Sequence, residues 1–233
     1  MSSTLATLDQ LLRSPNRAAE QSRGGAQLQN LALASLGALL FGAGLFGAVL
    51  ASSRGGLQLL YSGLKLPLAI LGTLIVSVPA LYALARSLAR PLPLAGAVSL
   101  ALSAAARGAL VLSALAPVAW LAIDRGLGYH GCVLLAAICY AIAGVSALRV
   151  LFSGVGGGLR GAVLLALCSI VVLPAGGQTA WMLRPFVGRP AQAHVPFLRH
   201  KEGSFADSLL QSGRSSVGLY RTMSSEEAEE FER

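Results

Sequence analysis

The sequence predicts an all-α fold, an integral membrane bundle of five transmembrane helices with short amphipathic helices at its ends. Of the 233 residues, 55% are hydrophobic and only 12% are charged, whereas about a quarter of the residues in a soluble domain carry a charge. The apolar residues fall into five runs, each long enough to cross a hydrocarbon core of about 30 Å as a helix. A segment inside a bilayer must satisfy its own backbone hydrogen bonds, so runs of this length favour helices over barrel strands.

Composition divides the chain into three parts. Residues 1–30 are polar, residues 31–183 form the transmembrane domain, and residues 184–233 are a polar tail. Residues 4–13 place leucines on one helical face, which favours a short helix lying on the membrane surface; a frayed terminus is the alternative. In the tail, a Ser-x-x-Asp helix start at Ser204 predicts a second short helix.

The five spans are predicted at residues 31–52, 66–86, 94–123, 131–152 and 161–183. In the first span, Gly37, Gly44 and Gly47 lie roughly along one face, where small residues let a neighbouring helix approach closely. Residues 53–65 are short and half apolar, so they are predicted to form a loop or an in-plane turn. Pro79, Pro117 and Pro174 lie inside later spans, and a kink is expected at each of them.

Basic residues leave the membrane orientation almost undecided. An odd number of spans places the two termini on opposite sides, and the basic residues near the membrane then divide seven against seven. One set is Arg13, Arg17, Arg23, Arg86, Arg90, Arg149 and Arg160, and the other is Arg54, Lys65, Arg125, Arg184, Arg189, Arg199 and Lys201. Three arginines before the first span, against two basic residues after it, favour a cytoplasmic N-terminus.

The sequence carries no pattern for a metal, a cofactor, nucleic acid or catalysis. Cys132, Cys139 and Cys168 lie inside apolar runs without metal spacing, so they are predicted to be small buried hydrophobic residues. The formal net charge is +8, but the basic residues sit at the ends of apolar runs, as membrane anchors do. The glycine-rich residues 154–161 lack the Lys-Ser/Thr of a phosphate-binding loop. We therefore expect no enzyme, no cofactor and no nucleic-acid partner.

Arg107 is the charge that interrupts the third span. A charge in mid-membrane costs roughly 3 kcal/mol or more unless it is paired or hydrated, and the nearest acid along the chain, Asp124, is 17 residues away. In one interpretation the span begins near residue 103 and Arg107 snorkels from its first turn. In the other, Arg107 belongs to a site for an anion or a lipid headgroup.

Four polar or aromatic side chains are grouped where the fifth span ends. They are Gln178, Trp181, Arg184 and Arg189. Anchoring at the membrane surface accounts for the tryptophan and the arginines, and an amide in a helix can bond to a neighbouring helix. Grouped at one interface, the same side chains could instead recognise a phosphate headgroup or the carboxylate of a partner.

Four segments resemble a group of bacterial multi-span membrane proteins for which no activity is established. They are KLPLAILGTLIVSVPALYALA, LSALAPVAWLA, GGQTAWMLRPFVGRP and PFLRHKEGSFADSL. The most specific is the Gln-x-x-Trp-x-Leu-Arg-Pro-Phe-x-Gly pattern that starts at Gln178, whereas Ala80 and Ser204 depart from the group's serine and asparagine. The resemblance implies about five spans in the bacterial inner (cytoplasmic) membrane. In span count alone the chain also looks like the Yip1-type trafficking proteins.

These observations favour a non-enzymatic integral membrane protein that acts as a scaffold or an accessory subunit of a membrane complex. Its expected partners are membrane lipids and a protein, which is either a different chain or a second copy. The alternative is a small transporter or a lipid- or anion-binding membrane protein that uses Arg107 and the cluster of Gln178 and Arg184.

Overall fold

The computed structural model describes residues 28–52, 55–88, 92–127 and 129–183. The helices in these ranges are α1 (Leu28–Leu50), α2 (Leu57–Ser87), α3 (Leu94–Asp124), α4 (Tyr129–Gly154) and α5 (Gly158–Leu183). Each contains a segment that is long and apolar enough to cross a membrane. The predicted all-α class with five spans is thereby confirmed, and the chain is an integral membrane protein. The predicted terminal helices, over residues 4–13 and from Ser204, lie outside the described residues.

The second helix begins earlier than expected. The predicted loop at residues 53–65 is wrong for residues 57–65, which form the first turns of α2. Gln58, Ser62 and Lys65 made this stretch resemble a loop. Their spacing of four and three residues places them on one helical face, and that face is buried in the bundle.

Close backbone contacts set the positions of the first three helices. A Cβ atom on Gly44 of α1 would lie 3.3 Å from the Gly63 carbonyl oxygen of α2, and one on Gly42 would lie 2.5 Å from the Ala109 carbonyl oxygen of α3. Helices this close gain van der Waals contact along their backbones, which is how transmembrane helices associate without a hydrophobic driving force. α1 therefore packs against α2 on one side and against α3 on another.

The last two helices each pack mainly on one earlier helix. Gly108 of α3 faces Ala143 of α4, with its Cβ position 3.4 Å from the Ala143 carbonyl oxygen. Gly72 of α2 faces Thr179 of α5, where the Cβ position lies 2.9 Å from the threonine methyl carbon. α4 thus lies beside α3, and α5 lies beside α2.

The prediction for the glycines of the first span is confirmed for two residues and wrong for the third. Gly44 and Gly47 face α2, and a Cβ on Gly47 would collide with the Ser62 carbonyl. Gly37 points the same way but lies about 10 Å farther along α1. In the described part of the chain, nothing lies within 4 Å of its Cβ position, because the close contact with α2 does not extend that far.

One core cluster defines an end of the bundle. It joins the C-terminal parts of α2 and α4 to the N-terminal parts of α3 and α5, through Leu81, Ala85, Leu92, Ala97, Leu100, Ala101, Ala104, Val150, Val155, Leu164 and Cys168. Arg86, Arg107, Arg149 and Arg160 lie on this half of the bundle, which we call the basic end. The opposite end contains the start of α2 and the turn after Asp124.

The prolines inside the spans do not end their helices. Pro79, Pro117 and Pro174 lie within α2, α3 and α5, and each helix continues on both sides of its proline. The expected kinks at these positions stay predictions.

Candidate functional site

Arg107 and Arg149 come together on neighbouring helices. Arg107 Nε on α3 donates a hydrogen bond to Ser146 Oγ on α4 at 2.8 Å. Arg149 follows Ser146 by three residues, so the two share one face of α4. Arg107 is half-buried and Arg149 is exposed. The pair concentrates positive charge where the outer surfaces of α3 and α4 meet.

The helix that carries Arg107 begins well before residue 103, and the interpretation that Arg107 snorkels from the first turn of the membrane span stays a prediction. α3 begins at Leu94, so Arg107 lies about 20 Å into the helix. The preceding turns belong to the core: Leu100 and Ser103 are fully buried, and Ser103 Oγ is 3.3 Å from Ser35 Oγ on α1. Burial of these turns against α1 explains why the helix extends beyond the length that one straight crossing needs.

Two further arginines of the described helices reinforce the charge of this end. Arg86, near the end of α2, donates to the Tyr82 hydroxyl at 2.8 Å and lies over the same ring at 5.7 Å. Arg160 is exposed near the start of α5. Among the described residues the only carboxylate side chain is Asp124, and it lies at the opposite end beside Arg125.

The group predicted at the end of the fifth span is only partly described. Gln178 is exposed on α5, and the neighbouring Thr179 donates its hydroxyl to its own helix, to the Ala175 carbonyl at 2.7 Å. The Thr179 methyl group packs on Gly72 of α2, so Thr179 contributes to the packing of α5 against α2. The Trp181 side chain, Arg184 and Arg189 lie outside the described residues, and their grouping with Gln178 stays a prediction.

Lys65 is a buried polar residue that sequence reasoning missed. It was placed in a connection and counted among the basic residues at the membrane edge, but it lies in the third turn of α2 with 0% of its surface exposed. Gln58 and Ser62 are buried on the same face, and Gln58 Nε2 donates to Ser62 Oγ at 3.2 Å. The signal that could have found this face is the helical spacing of the three polar residues.

The outward side of α4 carries small residues that no described helix covers. Ala137, Ala141 and Gly144 are exposed, and no described atom lies within 4 Å of the Cβ position of Gly144. Their spacing of four and three residues places them on one face. The opposite side of α4 is buried against α3 through Cys139 and Ala143. We call Ala137, Ala141 and Gly144 the α4 small-residue face.

The three cysteines lie where the sequence predicted. Cys132, Cys139 and Cys168 are free thiols and all are buried, which confirms their interpretation as small apolar residues. Within the described ranges, no three His, Cys, Asp or Glu side chains lie together in a way that could hold a metal ion.

Comparisons with known proteins found no match. No protein-family model, no curated protein and no solved structure matches this chain. The resemblance to a group of bacterial membrane proteins therefore stays a prediction.

Proposed function

We propose that the protein is a non-catalytic membrane scaffold or accessory subunit, which associates side by side with another transmembrane helix through the α4 small-residue face. The observation that carries the proposal is the open space at Gly144. Small residues spaced by one turn allow two helices to approach closely in lipid, where packing and not the hydrophobic effect drives association.

The contrast with other glycines of the bundle supports this role. Gly42, Gly47 and Gly108 each face the backbone of a neighbouring helix at close range. Gly144 is also a glycine in the middle of a helix, so it destabilises α4 by about 1 kcal/mol relative to alanine. No close contact within the described bundle offsets this cost. Contact with a helix of a partner chain would supply that missing contact.

A single-cysteine crosslinking experiment tests the proposal in native membranes. The three cysteines are replaced by alanine, and Gly144→Cys is introduced. The matched control is Ala166→Cys, at an exposed position on α5. We expect oxidation or a short bifunctional reagent to link Gly144→Cys to a partner and to leave Ala166→Cys unlinked.

The mass of the crosslinked product distinguishes the two kinds of partner. A product with twice the mass of the chain indicates a second copy, and a product of any other mass indicates that the partner is a different protein. A lack of product at Gly144→Cys, together with a monomer that purifies without a partner in mild detergent, would contradict the proposal. Gly144→Leu is expected to abolish the crosslink formed from an added Ala141→Cys while leaving the monomer folded.

A further inference from the structure

We propose that Arg107 and Arg149 bind the phosphate group of an anionic phospholipid, whose acyl chains lie along the groove between the outer surfaces of α3 and α4. This inference does not depend on the lateral association proposed above. Gly144 and Arg149 are five residues apart, which places them about 140° apart around α4. A lipid at Arg149 and a helix at Gly144 would therefore occupy different sides of α4.

Like charges lie on adjacent helices at this site. Arg107 bonds to Ser146, which lies one turn from Arg149 on α4, and Arg86 and Arg160 add to the positive charge of the basic end. An anion placed between two guanidinium groups converts their repulsion into two attractions, which are stronger near lipid than in water because the dielectric constant is lower. A phosphate group of a lipid headgroup supplies such an anion at the depth of a membrane interface.

A hydrogen bond restrains the Arg107 side chain. Arg107 Nε donates to Ser146 Oγ at 2.8 Å, which holds the side chain against α4. A planar guanidinium presents its N–H groups in a geometry that matches two oxygens of one phosphate. Because the Arg107 side chain is already held, little conformational entropy is lost when a headgroup binds.

On each helix, a strip of apolar side chains begins at the arginine. On α3, Val111, Ala114 and Val118 follow Arg107 at helical spacing; on α4, Ile138, Ile142 and Val145 precede Arg149 in the same way. All six side chains are exposed except Val111, which is half-buried. The distance along α3 from Arg107 to Val118 is about 16 Å, close to half of a hydrocarbon core of about 30 Å. An acyl chain would cover this apolar surface, whereas a free phosphate ion would leave it bare.

Lipid binding by the purified full-length protein tests the inference. Native mass spectrometry in mild detergent measures the Kd of the first bound phosphatidylglycerol and of the first bound phosphatidylcholine, for the wild type and for variants. We expect phosphatidylglycerol to bind about tenfold or more tightly than phosphatidylcholine, because two arginines contribute. Arg149→Gln should reduce this preference about fivefold, and Arg107→Gln should reduce it by a similar factor.

Matched variants and a competitor decide the outcome. Arg125→Gln removes an exposed arginine at the opposite end and should leave the preference unchanged. Arg107→Lys keeps the charge without the planar donors and should have an intermediate effect. If Arg107→Gln fails to fold, Arg149→Gln carries the test, since its side chain is exposed. An unchanged preference in Arg149→Gln would overturn the inference. Displacement of the lipid by millimolar inorganic phosphate would also overturn it and would indicate a site for free phosphate.

Discussion

Glycines of the bundle differ in whether a larger side chain would fit at their position, and that difference predicts whether each glycine tolerates substitution. A Cβ on Gly42 would lie 2.5 Å from the Ala109 carbonyl oxygen, so Gly42→Ala must push α1 away from α3. We expect the free energy of unfolding to fall by about 1–3 kcal/mol, as measured by denaturant or thermal unfolding in detergent micelles.

Gly144→Ala is the matched control for that substitution. Its Cβ enters open space within the described bundle, and alanine favours a helix over glycine by about 1 kcal/mol. The monomer should therefore be as stable as the wild type or slightly more stable. An equal loss of stability in Gly42→Ala and Gly144→Ala would show that the backbone contact between α1 and α3 is not what limits the size of residue 42.

Single residues also mark the limit of what the sequence could predict about the candidate site. Arg107 was a candidate because a charge interrupts an apolar run, and such an interruption can be read directly from the linear sequence. Its bond to Ser146 joins residues on two helices and depends on how α3 and α4 align, which composition does not determine. Lys65 was missed because its polar neighbours, Gln58 and Ser62, made a buried helix face look like a loop.

Helix pairs are held by polar contacts as well as by glycine. Ser35 Oγ of α1 and Ser103 Oγ of α3 are 3.3 Å apart, and both residues are fully buried. We expect a double-mutant cycle with Ser35→Ala and Ser103→Ala to give a coupling energy of about 0.6 kcal/mol, the average for such bonds between membrane helices. The measurement is unfolding of the two single variants and the double variant in the same detergent.

Ser169 provides the control for that cycle. Its hydroxyl bonds to Leu165 of its own helix at 2.8 Å, so Ser169→Ala should show no coupling to Ser35→Ala. A coupling energy between Ser35 and Ser103 no larger than that of the control pair would mean that the two hydroxyl groups do not hold α1 and α3 together.

At the level of whole helices, the sequence predicted the number of helices more accurately than the residues at which they begin and end. Long apolar runs identified all five described helices, because a bilayer requires length and low charge and both are local properties. The start of α2 at Leu57 was not predicted, because the first turns of α2 carry polar side chains that are buried inside the protein. Burial of their polar face depends on α1 and the neighbouring helices, and therefore on tertiary structure.

For the molecule as a whole, the fold changes the balance of charge across the membrane. Lys65 is buried inside α2 and no longer counts among the residues of a connection, while Arg107 joins the basic end through Ser146. Among the described residues, Arg86, Arg107, Arg149 and Arg160 lie at the basic end, whereas Arg125 is the exposed basic residue at the opposite end. By the positive-inside rule, we predict that the basic end faces the cytoplasm.

Cysteine labelling from one side of the membrane tests the five-span topology and this orientation together. In a cysteine-free chain, single cysteines replace four exposed residues beside successive turns, Leu57, Ser87, Leu127 and Leu159, and intact cells are treated with a membrane-impermeant maleimide. We predict that Leu57→Cys and Leu127→Cys react in intact cells, whereas Ser87→Cys and Leu159→Cys react only after permeabilisation. The opposite pattern would contradict the orientation, and equal reactivity at two consecutive turns would contradict the five-span bundle itself.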